Sequence, residues 1–168
     1  IDMALSHGIK IFFTSAGSPK KFTAYHKDHG ATVVHVTSSP DLALKCQQAG
    51  VDAVVAEGFE AGGHNGRDEL TTMALIPQVK KLINIPLIAA GGIGDGHSLL
   101  AAFALGADGV QMGSRFLMTA ESSAHQNYKN LLLSASASST RLLMKATTPV
   151  RLFENQFSRA IMQIEQSF

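Results

Sequence analysis

A histidine set among glycines is the part of this sequence best equipped for chemistry. The run Glu57-Gly58-Phe59-Glu60-Ala61-Gly62-Gly63-His64-Asn65-Gly66 offers one imidazole with no apolar partners for a core role. An imidazole exchanges its proton near neutral pH, which suits a base that abstracts an acidic C–H. The apolar run Val54-Val55-Ala56 just before it reads as the end of a strand. That puts the loop at the C-terminal edge of a sheet, where α/β proteins place their ligands. The other six of the seven histidines have plainer readings. His7, His26 and His29 lie on expected helix ends and are read as solvated. His35 lies in a strand and is read as a satisfied buried imidazole, and His97 and His125 near helix starts as surface or capping groups. His64 with Glu57, Glu60 and Asp68 lacks the His-x3-His or cysteine spacing of a metal site, so no metal is expected. Glu57, Glu60 and Arg67 are read as solvated loop charges.

Two glycine motifs one βα unit apart supply a second kind of chemistry. Ala89-Ala90-Gly91-Gly92-Ile93 ends one strand, and Gln111-Met112-Gly113-Ser114-Arg115-Phe116 ends the next. Without a Cβ in the way, backbone N–H groups at such glycines approach an anion closely. In β/α barrels the loops after the last two strands often build a phosphate site, which is where these motifs fall if their strands are the last two.

The elements that hold these loops alternate. Strands are expected over 9–14, 31–36, 52–57, 85–90 and 109–113, and helices over 20–29, 41–49, 70–83 (with a break near Pro77) and 98–105. Loop signals at Ser15-Ala16-Gly17-Ser18-Pro19 and over 58–69 separate them, and Ser39-Pro40 gives a helix start that Gly50 stops. The strands are nearly continuous apolar runs, as in parallel sheets covered on both faces. Their alternation with helices means βαβ units with right-handed crossovers. Five strands fill an open doubly wound sheet but do not close an eight-stranded barrel, which typically takes about 250 residues. From 121 onward the character changes: 134–140 is Ser/Ala-rich and read as a loop or frayed helix end. Phe157, Ile161, Ile164 and Phe168 recur at helical spacing, which predicts a terminal amphipathic helix over 153–168 packed against the domain.

Composition limits the partners. At 168 residues the chain can form one domain with a real core, and 45% hydrophobic with 16% charged residues is an ordinary globular balance. A net charge of +1 without a run of Lys or Arg points away from nucleic acid and anionic membranes. There is no apolar stretch of about 18 residues to span a membrane. The single cysteine, Cys46, leaves no internal disulfide and fits a reducing cytoplasm. The chain opens at Ile1 directly into a helix-like segment over 2–8, which reads as mid-domain, so further N-terminal chain is expected.

The three motifs Glu60-Ala61-Gly62-Gly63-His64-Asn65-Gly66, Ala89-Ala90-Gly91-Gly92-Ile93 and Gln111-Met112-Gly113-Ser114-Arg115-Phe116, in this order, strongly resemble the nitronate monooxygenase family, formerly called 2-nitropropane dioxygenases. The resemblance runs from about Ile1 to the C-terminus. Enoyl-acyl-carrier-protein reductase II, a sister group, shares the motifs. The turn 15–19 resembles the Gly-Ala-Gly-Asn-Pro loop of both, with Ser15 in place of a glycine, while Thr147-Thr148-Pro149-Val150-Arg151-Leu152 looks closer to the nitronate monooxygenases. The resemblance implies an FMN-dependent β/α barrel that oxidises alkyl nitronates with O2. His64 would contact the substrate and deprotonate neutral nitroalkanes. Ala61, Gly62 and Gly63 would line the isoalloxazine, and Gly91, Gly92, Ile93, Gln111, Gly113 and Ser114 would hold the ribityl and phosphate groups. Family members open with about three βα units that are not found here. The expected fold is therefore α/β: the C-terminal five βα units of a (β/α)8 TIM barrel followed by C-terminal helices, as one domain over 1–168. The alternatives are an FMN- and NAD(P)H-dependent enoyl-acyl-carrier-protein reductase and a non-catalytic barrel fragment.

Overall fold

The expected alternation of apolar runs and capped helices is realised in the computed structural model, which describes residues 1–167. A short helix α1 (Asp2–Ser6) leads into β1 (Ile11–Thr14), a 3-10 turn at Pro19–Lys21 and α2 (Thr23–Asp28). Then follow β2 (Thr32–Thr37), α3 (Pro40–Gln48), β3 (Ala53–Glu57), β4 (Gly63–His64), α4 (Thr72–Lys80), β5 (Leu87–Ala90), α5 (Gly96–Ala104) and β6 (Gly109–Gln111). The chain ends with α6 (Ser114–Leu117), α7 (Gln126–Leu133), β7 (Thr140–Leu143), β8 (Val150–Phe153) and α8 (Gln156–Glu165). Local chemistry sets the helix starts. Ser39 Oγ accepts from the Leu42 N–H with Pro40 in the first turn, and Asp95 and Ser98 form a capping box at α5.

The five expected strands form one parallel sheet in the order β1-β2-β3-β5-β6. Each strand joins beside its predecessor, so right-handed crossovers carry every intervening helix to the same face. A doubly wound sheet reverses its strand order at a switch point; this one does not, and it is a stretch of β/α-barrel wall. The main core lies on the helix-covered face. There Val33, Val54, Ala56, Leu87 and Ala89 meet Ala43 and Cys46 of α3 and Leu75, Ile76 and Val79 of α4. On the opposite face Val34, Ala53, Val55 and Ala90, flanked by Val36 and Ile88, make a smaller cluster of strand residues alone.

A repeated polar staple sets the spacing of neighbouring strands. Asp52, just before β3, accepts from the Val33 N–H at 2.8 Å and from Lys27 Nζ at 2.6 Å. Asp108, just before β6, accepts from the Leu87 N–H at 2.9 Å and from Lys80 Nζ at 3.0 Å. In both, an aspartate ahead of one strand caps the start of the previous strand, and a lysine from the helix side closes the contact.

Four expectations need correction. Helix α4 runs unbroken through Pro77; the proline's missing N–H would have bonded the carbonyl of Met73, and that residue is exposed, where water can serve instead. Loop 58–69 contains a strand, β4, which joins β8 and β7 in a second, antiparallel sheet of order β4-β8-β7. The terminal helix starts after Phe153, which belongs to β8. Its buried contact is Ser158, with Ile161 and Met162 half-buried, while Phe157 and Ile164 face solvent. The spacing of Phe157, Ile161 and Ile164 was a true shared face, but packing chose the neighbouring one; Phe168 lies outside the described residues. His26, expected to be solvated, is buried against the Phe12 ring with its Nδ1 2.7 Å from the Phe22 carbonyl oxygen.

Candidate active site

Strand alternation decides what faces the cavity. On β3, Ala53, Val55 and Glu57 share the helix-free face, and on β6 Gln111 shares it with Gly109. Glu57 and Gln111 end their strands there and line a cleft of about 1240 Å³ along the C-terminal edge of the sheet. Ser15 to Lys20 after β1, Val36 to Ser38 at the end of β2, and Gly62, His64, Asn65 and Gly66 complete much of its wall, with Thr148 from the C-terminal segment. Glu57 is half-buried, and that burial raises its carboxyl above the usual range. His35 is the satisfied buried imidazole expected, bonded to Thr14 Oγ1 at 2.8 Å. Burial holds its pKa below the ordinary histidine value, with the Gly17 backbone partly offsetting this.

His64 is presented on β4, where it pairs with Val150 while Gly63 pairs with Arg151. Asn65 fixes the turn that follows. Its side-chain nitrogen donates to the Ala61 and Gly63 carbonyls at 3.0 Å each, and its backbone N–H to the Pro149 carbonyl at 2.8 Å. Its Oδ1 and Thr37 Oγ1 are buried polar atoms in the cleft wall without a hydrogen-bond partner among the described residues. Such atoms are uncommon in folded proteins and mark places that water or a ligand completes.

The two glycine motifs end β5 and β6 on the same edge of the sheet. Among the described residues, the N–H groups of Gly91, Gly92, Ile93, Gly113, Ser114 and Arg115 donate to no backbone carbonyl. Two neighbouring groups of free donors at strand ends are the requirement for an anion cradle. Gly91 has a structural duty as well. Its φ is +96°, and a Cβ there would lie 2.7 Å from the Gly58 carbonyl oxygen. Beneath it Thr72 Oγ1 donates to the carbonyls of Ala90 and Gly91 at 3.1 and 2.8 Å, and Glu60 accepts from the Thr72 N–H. Glu60 thus locks the histidine loop to the start of α4 rather than standing free in solvent.

Of the residues expected in the site, Gly62, His64 and Gln111 line the cleft. Ala61, Gly63, Gly91, Gly92, Ile93, Gly113 and Ser114 lie outside its lining; Ile93 turns its side chain into the main core, leaving only its backbone toward a ligand. Sequence reading missed Asn65, Thr37 and the C-terminal contribution of Thr148 to Arg151. The Thr147-to-Leu152 stretch was visible as a motif, but its partner strand lies some 85 residues away in the chain. His125 caps α7 by accepting from the Asn127 N–H, as its position suggested. Among the described residues, no three His, Cys, Asp or Glu side chains gather as a metal site, and no helix is long and apolar enough to cross a membrane.

The model of the nitronate monooxygenase family matches residues 1–167. A probable nitronate monooxygenase of Staphylococcus saprophyticus is 38% identical over 94% of this chain and 47% of its own length. Among solved structures, FabK from Thermotoga maritima superposes with a TM-score of 0.92 at 41% identity, over 98% of this chain and 52% of that one. Nitroalkane oxidase from Streptomyces ansochromogenes does so at 0.82 and 32%, over 94% and 49%. The chain spans about half the length of the curated relatives it matches.

Proposed function

This chain belongs to the nitronate monooxygenase family, and from that premise we propose that it carries the base and the phosphate cradle of an FMN-dependent enzyme that oxidises alkyl nitronates with O2. The observation that carries the reading is a juxtaposition. His64, with no hydrogen bond to its ring among the described residues, lies at the same sheet edge as the free N–H groups of Gly91 to Ile93 and Gly113 to Arg115. The cradle fits a phosphate, because it offers several backbone donors, and the Glu60 carboxylate that packs beside Gly92 is turned to the Thr72 N–H. In this reading Gly91, Gly92, Ile93, Gly113 and Ser114, with the Gln111 amide, hold the ribityl phosphate, and Ala61, Gly62 and Gly63 border the ring system. When bound, FMN would supply the transfer of electrons from the nitronate to O2. His64 takes the proton from the carbon bearing the nitro group of a neutral nitroalkane and holds it on its ring, leaving the nitronate anion in the cleft. The glycines beside it keep side chains out of the space the substrate needs.

The working protein in this reading is a closed (β/α)8 barrel in the cytoplasm. Residues 1–168 form one domain of it, and about three further βα units complete the wall. Ile11 and Phe13 of β1 are exposed on the helix-free face, the face that a closed barrel turns inward.

The test is an absorption spectrum of the purified full-length protein, followed by anaerobic addition of a propyl nitronate. Flavin bands that bleach with nitronate are expected, and His64→Asn should abolish bleaching by neutral nitroethane while sparing bleaching by the nitronate. A colourless protein that takes up no FMN refutes the proposal. The second reading is an enoyl-acyl-carrier-protein reductase, favoured by the greater sequence identity to the FabK structure than to the nitroalkane oxidase. Bleaching by NADPH alone, with turnover of a crotonyl thioester, would establish it.

A further inference from the structure

The C-terminal segment 140–153 runs along the histidine loop and is tied to it from end to end. Arg151 Nε donates to the Phe59 carbonyl at 2.9 Å, its guanidinium sits 5.2 Å from the centroid of the Phe59 ring, and its Nη1 reaches Thr140 Oγ1 at 3.3 Å. Next to it Gly63 pairs with Arg151 and His64 with Val150. Beyond His64, the Asn65 N–H donates to the Pro149 carbonyl at 2.8 Å, Arg67 Nη2 donates to the Thr147 carbonyl at 2.8 Å, and Glu69 pairs with Lys145 at 2.8 Å. The outer ties are exposed and individually weak. Arg151 differs: it is half-buried, and it holds the loop both through its side chain, at Phe59, and through its backbone, at Gly63.

His64 has no tie of its own on the ring, so the place of its imidazole is set by the backbone of β4. That backbone lies in a loop with few apolar side chains, and what holds it is the partner strand. We propose that Arg151 is a positioning residue for His64: its guanidinium clamps Phe59 while its backbone pairs with Gly63, and the two together hold the imidazole at the mouth of the cleft. This inference rests on the reading of His64 as the base for neutral nitroalkanes. A guanidinium suits the task because its planar fork donates in two directions and stacks on a ring at once. Lysine at 151 would keep the charge and lose that geometry.

The test compares Arg151→Met and Arg151→Lys with the wild-type full-length, FMN-loaded protein, using neutral nitroethane and its preformed nitronate as paired substrates. Only the neutral substrate needs a proton removed. Misplacing a catalytic group by about 1 Å costs on the order of 100-fold. Arg151→Met is therefore expected to lower kcat for nitroethane by about 10- to 100-fold, with a far smaller fall for the nitronate and little change in KM for either. Arg151→Lys should fall between, and millimolar guanidinium should restore part of the nitroethane activity of Arg151→Met. Equal losses on both substrates would overturn the proposal by showing a merely structural role. Hydrogen exchange gives an arm independent of chemistry. In Arg151→Met the amides of 58–69 should exchange faster while those of β3 and β5 stay protected. Unchanged exchange in the loop, or faster exchange throughout, would also overturn it. If the wild type turns over neither substrate, the functional reading fails, and the exchange arm still decides whether Arg151 holds the loop.

Discussion

Gly91 and Gly62 lie in neighbouring loops, and the structure assigns them different duties that substitution by alanine can separate. At Gly91 two costs add. Its φ of +96° is a conformation that an L side chain adopts at a cost of about 1–2 kcal/mol. The new Cβ would also sit 2.7 Å from the Gly58 carbonyl oxygen and 3.0 Å from Thr72 Oγ1, inside a hydrogen-bonded corner with little room to give. Overpacking of that kind costs about 1–3 kcal/mol. Gly91→Ala should thus destabilise by about 2–5 kcal/mol, a large share of a typical domain's stability of about 5–15 kcal/mol. For a chain of this length that is a fall in Tm of about 4–20 °C. A Cβ at Gly62 meets nothing within 4 Å, and its φ is not in the left-handed region. Gly62→Ala should therefore stay within about 0.5 kcal/mol of wild type. Yet Gly62 lines the cleft, and under the proposed reading, in which it borders the flavin ring, the same substitution should weaken FMN binding. Urea unfolding followed by circular dichroism gives the first quantity, and quenching of flavin fluorescence on titration gives the second. A Gly91→Ala protein with a Tm within about 2 °C of wild type would refute the argument. Its glycine would then serve only the approach of the anion.

Two further outcomes follow from the same corner and the same cleft. Thr72→Val removes the hydroxyl whose one proton lies among the Gly91 and Ala90 carbonyls and the Glu60 carboxylate, nearest the Gly91 oxygen, and should cost about 1–3 kcal/mol in urea unfolding; Thr72→Ser should recover most of it, and equal losses in the two variants would count against the hydroxyl's role. Glu57 has its pKa raised by burial, so the unfolded chain ionises at lower pH than the folded one. Stability is therefore unaffected by this group below the unfolded pKa and falls as pH rises through the window up to the folded value. Glu57→Gln should flatten the Tm-versus-pH curve on the rise from about pH 4 towards neutrality; a variant whose Tm tracks the wild type in parallel across that range would show that Glu57 is not desolvated.

The sequence by itself determined the parallel strands, the helices between them and the strand ends at which chemistry could sit. Those features are local: β-rich apolar runs, Ser39 as a cap, glycines that stop helices, and a histidine just past an apolar strand end. The five strands appeared where expected to within a few residues, and Gly62 and His64 of the loop after β3 line one cleft with Gln111 at the end of β6. Where the signal was a face rather than a spacing, the reading weakened. Phe157, Ile161 and Ile164 do share a helix side, but periodicity cannot tell which side meets the domain. His26 looked like a helix-end histidine and is buried because the neighbouring Phe12 ring covers it. Periodicity alone left strand order open, since five βα units serve a doubly wound sheet or a barrel wall equally well; the family motifs implied the wall, and packing of each strand beside its predecessor bears that out. The antiparallel sheet that presents His64 was the least legible element of all. Its strand β4 is two residues long and glycine-containing, with no periodicity to read. It exists because Val150 and Arg151, far along the chain, supply the hydrogen bonds and the clamp that a short isolated strand cannot make for itself.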